Sequence, residues 1–203
     1  MVEPLTLIAF VPAALALNLT PGADMLFCLA QGARRGAKAA WAASAGIAIG
    51  GLVHVFIAGA GLSAVLTAWP VAFDIIRWIG VAYLVWLAVN ALRRQVAPEQ
   101  TAPSGSGHAF RGGLLINLAN PKVILFVLAF VPQFVVPSAG SVLGQFMVFG
   151  CVIGLGGFVV NGVVGTWADV LAQRFKRGSR VLDFLTAGIF SALAARLAIL
   201  EVS

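Results

Sequence analysis

Six apolar blocks, near residues 5–30, 40–66, 72–92, 113–135, 141–170 and 181–200, take up almost the whole chain. Each is long enough to cross a bilayer core, which needs about 20 apolar residues per helix. No water reaches the backbone inside that core, so a spanning segment must satisfy its own N–H and C=O groups. Apolar runs of this length do that as helices. With 61% hydrophobic and 10% charged residues, the 203-residue chain has no composition left over for a soluble domain. The expected fold is an all-α membrane protein of about six transmembrane helices, a single transmembrane domain over residues 1–203.

The first block resembles a signal peptide in one respect, the small residues Ala14-Leu15-Ala16. Its only preceding charge is Glu3, however, and Pro12 interrupts the apolar run, so a retained helix is expected. The net charge of +6 would suggest nucleic acid in a soluble protein. Here the basic residues are segregated into connections instead: Arg34, Arg35 and Lys38, then Arg93, Arg94 and Arg111, then Arg174, Lys176, Arg177 and Arg180. The connections around 67–71 and 136–140 carry none. Positive residues mark cytoplasmic loops, which places the first, third and fifth connections inside and both termini on the periplasmic side of a bacterial inner membrane. Lipid is therefore the expected surround, with no nucleic-acid partner.

The polar stretch Gln95–Gly107, rich in Pro, Ser and Gly, reads as a cytoplasmic linker between halves of about 1–94 and 108–203. The halves are alike. Asn18-Leu19-Thr20-Pro21 interrupts the first helix and Asn117-Leu118-Ala119-Asn120-Pro121 the fourth, while Gly46 and Gly50 of the second span match Gly150 and Gly154 of the fifth. Three spans per half is an odd number, so the second copy enters the membrane from the opposite side. Two inverted three-helix repeats with Pro-broken first and fourth helices are the architecture of many secondary transporters. The span boundaries put both prolines nearer the cytoplasmic side.

Proline inside a helix removes one donor and pushes away the carbonyl four residues earlier. Pro21 should thus free the carbonyl of Leu17, and Pro121 that of Asn117. Asn18, Thr20, Asn117 and Asn120 bring polar side chains to the same turns, and Gly22 adds backbone freedom. Either neighbours patch two kinks, or Asn18, Thr20, Pro21, Gly22, Asn117, Asn120, Pro121 and Lys122 form a substrate site. Asp24 and Lys122 follow the two breaks inside apolar spans, where insertion of such a charge costs about 2.5–3.5 kcal/mol. They would neutralise each other, bind the charged ends of a zwitterion, or snorkel to the interface. The opposite partial charges of broken helix ends suit a carboxylate and an ammonium, so a small amino acid is a natural ligand. Asp24 is the candidate for proton coupling.

Other residues read more plainly. His54 is a proton relay or a hydrogen-bonded packing histidine, and Asn161 is expected to bond across helices. Cys28 and Cys151 are expected to be buried and inert. Trp41, Trp69 and Trp167 fall at span ends, where headgroup anchoring suits them. Trp78, Tyr83 and Trp86 lie at helical spacing within the third span and read as a packing stripe ahead of a binding wall. The Gly154-Leu155-Gly156-Gly157 stretch lacks the Gly-Lys-Ser/Thr of a phosphate loop, so close helix packing accounts for it. Catalytic constellations are missing, and two histidines are too few for a zinc site, so neither enzyme chemistry nor a metal or organic cofactor is expected.

NLTPGAD at 18–24, the GARRGAKAA loop, INLANPKVILF at 116–126 and FVPQF at 130–134 together resemble the lysine exporter superfamily, in particular its threonine, homoserine and leucine efflux branch. The resemblance runs over about residues 5–200. It implies export of amino acids or related small metabolites from the bacterial cytoplasm by a secondary transporter, driven by the proton gradient without a cofactor. It also implies a compact bundle of about six helices that can pair as a homodimer. Ala23 replaces the second proline of the family's Asn-x-Thr-Pro-Gly-Pro, which bears on substrate preference more than on transport. The rival readings are a cation or metal exporter of the same superfamily, which the scarcity of carboxylate, thiolate and imidazole ligands disfavours, and a non-transporting membrane assembly protein.

Overall fold

A computed structural model describes residues 2–68 and 106–168, together with single helical positions between 78 and 89 and between 184 and 195. The third and sixth expected spans lie otherwise outside the described residues, as do residues 95–105 of the expected linker. Among the described residues there is no strand. Helix α1 runs over Pro4–Leu19, α2 over Ala23–Arg35, α3 over Ala37–Ala68, α4 over Ser106–Leu118, α5 over Pro121–Ala129 and α6 over Val142–Thr166. Short 3-10 turns at Val131–Phe134 and Pro137–Ala139 join α5 to α6. Helix α4 begins at Ser106, inside the expected linker, because apolar residues mark the membrane core and a helix can continue past them into water.

Among the described residues, two helices are long and apolar enough to cross a membrane alone, Ala37–Leu62 within α3 and the whole of α6. The α1–α2 and α4–α5 pairs each meet the same test together, bent by 55° and 53°. Each bend falls at an anticipated break, and α1 runs on unbroken through Pro12. The first break has 16 residues of α1 before it and 13 of α2 after it, and the second has 13 of α4 before it and 9 of α5 after it.

The corner between α2 and α3 is one residue, Gly36, whose φ of 77° is accessible to glycine without strain. Arg34 and Arg35 occupy the last turn of α2, where positive charge offsets the helix dipole, and both are exposed with Lys38. The opposite connection is held by buried Gln145, whose amide accepts from Val136 N at 2.9 Å and donates to Val136 O at 2.8 Å and Gly140 O at 3.3 Å.

An aromatic cluster fastens α1, α5, the following turn and α6: Phe10 lies 4.6 Å from Phe149 and 5.1 Å from Phe134, and Phe126 lies 4.8 Å from Phe130, centroid to centroid. Such pairs add about 0.5–1.5 kcal/mol each beyond area burial. Glycines bring the other helices together. A Cβ at Gly46 would strike the Phe110 carbonyl of α4, and one at Gly113 the Ala43 carbonyl of α3. Gly150 admits Val55, whereas Gly154 makes only ordinary contact with α3.

Three placements differ from expectation. Trp41 packs on Phe158 at 4.9 Å and over Gly162, because that glycine leaves a slot for its ring; Trp167 stays exposed as an interfacial anchor should. Trp78 and Trp86 are more than half exposed, so they face away from the core; Tyr83 and Trp69 lie outside the described residues. Cys28 is buried, but Cys151 points outward among exposed apolar residues such as Leu155.

Gly46→Leu is expected to destabilise the protein by about 1–3 kcal/mol or more through overpacking at the α3–α4 crossing. Gly61→Ala, with nothing within 4 Å of its added Cβ, should be neutral or stabilise by up to about 1 kcal/mol. Thermal unfolding of the detergent-purified variants reads the difference; equal melting would refute the close crossing.

Candidate functional site

At the first break α1 ends on Thr20, whose N–H and hydroxyl both donate to the Ala16 carbonyl. Pro21 has no N–H, so the Leu17 carbonyl is left without its helical donor, as expected. Lys122 supplies the replacement: its Nζ donates to Leu17 O at 3.0 Å and to Thr20 O at 3.0 Å. Gly22 is extended, at φ −159° and ψ −172°, a conformation open to any residue. Its lack of a side chain matters for space instead, since a Cβ there would lie 3.2 Å from Lys122 Nζ. The expected role in backbone freedom is thus replaced by a role in close approach.

At the second break Pro121 occupies the first turn of α5, where a missing N–H is harmless. Asn120 caps that helix, its Oδ1 accepting from Lys122 N at 3.0 Å. The Asn117 carbonyl, freed by Pro121, takes Asn120 N at 2.9 Å and is met by His54 Nε2 of α3 at 3.1 Å. His54 therefore serves the break from outside the cavity wall.

The two breaks are joined to each other. Lys122, just past the second, holds the carbonyls of the first. Asn117, at the second, donates through Nδ2 to Asp24 Oδ2 at 2.9 Å, just past the first. Asn18 reaches across to α6, donating to Ile153 O at 3.1 Å, and a Cβ at Gly156 or Gly157 would crowd its amide. The Gly154–Gly157 stretch thus makes room for a side chain, beyond simple helix packing.

Asn18, Thr20, Asp24, Asn117 and Lys122 line one small cavity together with Asn161 of α6. Pro21, Gly22, Asn120 and Pro121 shape the turns behind it without lining it. The rest of the wall is largely apolar, including Met25, Ile47 and Ile153. The space for water centres is about 30 Å³, enough for about two waters at 10–15 Å³ each and too little for a whole amino acid. Asp24 Oδ1, Asn117 Oδ1 and Asn120 Nδ2 are buried without a hydrogen-bond partner among the described residues. Among the described residues no three His, Cys, Asp or Glu side chains converge as a metal site would require.

Sequence reasoning singled out Asn161 but assigned it to helix bonding; its depth in an apolar span was the signal that it faces a polar interior. Gln31, on the same helix as Asp24, is fully buried with both amide atoms unpaired and went unnoticed, since a glutamine near a helix end ordinarily reads as solvated. The apolar wall residues carry no signal that separates them from lipid-facing neighbours.

The profile of the LysE type translocator family matches residues 15–201. A leucine efflux protein of Enterobacter sp. (strain 638) is 31% identical over 199 residues, covering 95% of this chain and 94% of the relative. A homoserine/homoserine lactone efflux protein of Salmonella typhi is 32% identical over 161 residues, 78% of this chain and 76% of the relative. An uncharacterized membrane protein of Vibrio cholerae is 34% identical over 146 residues, 70% and 71% of the two chains. No solved structure matches the chain significantly.

Lys122→Met strips the donor from two backbone carbonyls, each costing about 1–3 kcal/mol when orphaned. A loss of about 2 kcal/mol or more in detergent unfolding is expected. Asn120→Ala, which removes only a cap, should cost about 1 kcal/mol. A Lys122→Met protein as stable as the parent would show that the bridge carries no weight.

Proposed function

Because this chain belongs to the LysE type translocator family, a family of transporters and not of enzymes, we propose that it exports amino acids or closely related small metabolites across the bacterial inner membrane by proton-coupled alternating access. The observation that carries this reading is the reciprocal tie between the two helix breaks around one cavity, Lys122 on the Leu17 and Thr20 carbonyls and Asn117 on Asp24. The compounds named for the relatives, leucine, homoserine and homoserine lactone, share a primary amine on a small carbon frame. Polar groups facing an otherwise apolar wall suit that chemistry.

Supporting an inverted repeat are the near-equal bends of 55° and 53° at the two corresponding breaks. In this reading both termini face the periplasm and the exposed Arg34, Arg35 and Lys38 face the cytoplasm.

The mechanism follows from the size of the cavity. Substrate entry requires the two bent pairs to part, and the contacts most easily exchanged are those made by side chains, not by helix backbone. Lys122 and Asn117 leave and remake their cross-break bonds as the halves rock, opening the cavity to one side and then the other. Asp24, the one acid among the described residues of the wall, takes up a proton from the outer side as substrate departs and releases it inside as the next substrate binds. Lys122 is its counter-charge or the group that meets a substrate carboxylate. Asn18, Thr20 and Asn117 complete the substrate site, with the turns behind it shaped by Pro21, Gly22, Asn120 and Pro121.

Proteoliposomes tested for counterflow of labelled leucine, homoserine and threonine, with and without a pH gradient, examine substrate class and coupling together. Counterflow of at least one compound, and its uphill movement under the gradient, are expected. Asp24→Asn should abolish the uphill component, at least tenfold, while the protein remains folded. Undiminished proton-driven transport by Asp24→Asn would remove Asp24 from the coupling role.

A further inference from the structure

A glycine inside a helix weakens it relative to alanine, because it loses more freedom on folding and packs no side chain. Such a residue earns its place where the missing Cβ leaves space for something else. Gly50 and Gly51 are neighbours in the middle of α3, and both are buried. A Cβ at Gly50 would come within 2.7 Å of Asn117 Oδ1, so the space there is taken by that amide. A Cβ at Gly51 would meet no atom within 4 Å among the described residues. Every other buried glycine among the described residues has a neighbour inside that distance: Gly32, Gly46 and Gly113 meet backbone, and Gly59, Gly150 and Gly162 meet side chains, for example.

The empty place belongs to the cavity. Gly51 lines it, and so do Ile47 and Ala48, one turn earlier on the same face of α3. Two glycines of α6 line it as well, but a Cβ at Gly154 would already touch Ala48 O at 3.7 Å, and the space at Gly157 is taken by the Asn18 amide. Gly51 is therefore the cavity glycine whose missing side chain serves no described part of the protein. Its position is fixed from both sides. His54, one turn on, meets the Asn117 carbonyl at 3.1 Å, and Gly50 abuts the Asn117 side chain, so this stretch of α3 is held beside the second break. Helix α3 is continuous through this level, with its backbone hydrogen bonds inside the helix. The recess thus stays in the wall while side-chain bonds between the two breaks are exchanged.

We propose that Gly51 is the size-determining position of the site: the recess at its missing Cβ receives the side chain of the exported compound and sets the largest side chain that is accepted. This rests on the export reading above and adds to it a criterion of volume. Asp24, Asn117 and Lys122 give the cavity its charged and polar groups, while Ile47, Ile153 and Met25 give it apolar wall, so a compound that turns its charged end to the former lays its side chain beside Gly51. A methyl group at position 51 takes space from the ligand and none from the fold. Large side chains are excluded first, and one methylene in an apolar pocket changes discrimination by about 10–200-fold.

Stability and selectivity are read in the same proteins. Full-length parent, Gly51→Ala and Gly51→Val are melted in detergent and reconstituted for counterflow of labelled alanine, threonine, homoserine and leucine. The compound that the parent moves best is then compared with its homologues one methylene shorter and longer. Gly51→Ala should melt at or above the parent, since it gains helix propensity and meets no neighbour. Its rate for the longer homologue relative to the shorter should fall at least tenfold, and Gly51→Val should lower that ratio further. Gly61→Ala, exposed on the same helix, should leave the ratio unchanged. Melting of Gly51→Ala well below the parent would show that the protein itself fills the recess and would overturn the proposal. An unchanged ratio, or equal losses for long and short homologues, would overturn it too while leaving the export reading intact. Counterflow of none of the four compounds by the parent would sink the export reading and the size role together.

Discussion

A backbone carbonyl inside a membrane protein must have a donor, and the two proline breaks leave carbonyls that their own helices can no longer serve. In this protein the donors come from elsewhere in the chain. The Leu17 and Thr20 carbonyls are held by an ammonium 105 and 102 residues away, and the Asn117 carbonyl by a ring on α3, 63 residues away. Each break is stable only because the other elements are in place. The bends, the meeting of the two pairs and the cavity between them follow from that dependence.

The same arrangement accounts for charge inside an apolar bundle. Asp24 and Lys122 are each expensive in lipid, yet each has side-chain or backbone partners contributed by the opposite bent pair. Lys122 does with its tip what a helix would do with N–H groups, and the absence of a side chain at Gly22 lets it approach. Glycines elsewhere do similar service, Gly50 for the Asn117 oxygen and Gly156 and Gly157 for the Asn18 amide. These polar contacts are coupled to close helix packing, and their geometry depends on the crossings of α3 with α4 and α6. The Phe cluster fastens α1 and α5 to α6 away from the two breaks.

Much of the local design was legible along the chain. The two breaks and the released Leu17 and Asn117 carbonyls follow from the chemistry of proline, which is independent of what packs nearby. Length and hydropathy identified helices, and Asn18, Thr20, Asp24, Asn117 and Lys122 stood out because polar groups are costly in such surroundings. Readings that needed a direction in space fared differently. Trp41 entered a slot beside Gly162, Trp78 and Trp86 turned outward, Cys151 faced out, and Gly22 proved to matter for room more than for backbone angle. A helix end or a face cannot be assigned from residue type when every face is apolar.

What the sequence by itself determined is therefore the set of bilayer-length apolar helices, the places where they break and the polar residues that gather there, because these depend on backbone chemistry and on the cost of polarity in lipid. Only the tertiary structure decided which donor serves which carbonyl, and that Lys122 and Asn117 lace the two breaks together. Those outcomes depend on helix crossings set by glycines and aromatic rings far apart in the chain, and proximity of that kind leaves no periodic trace in the order of residues.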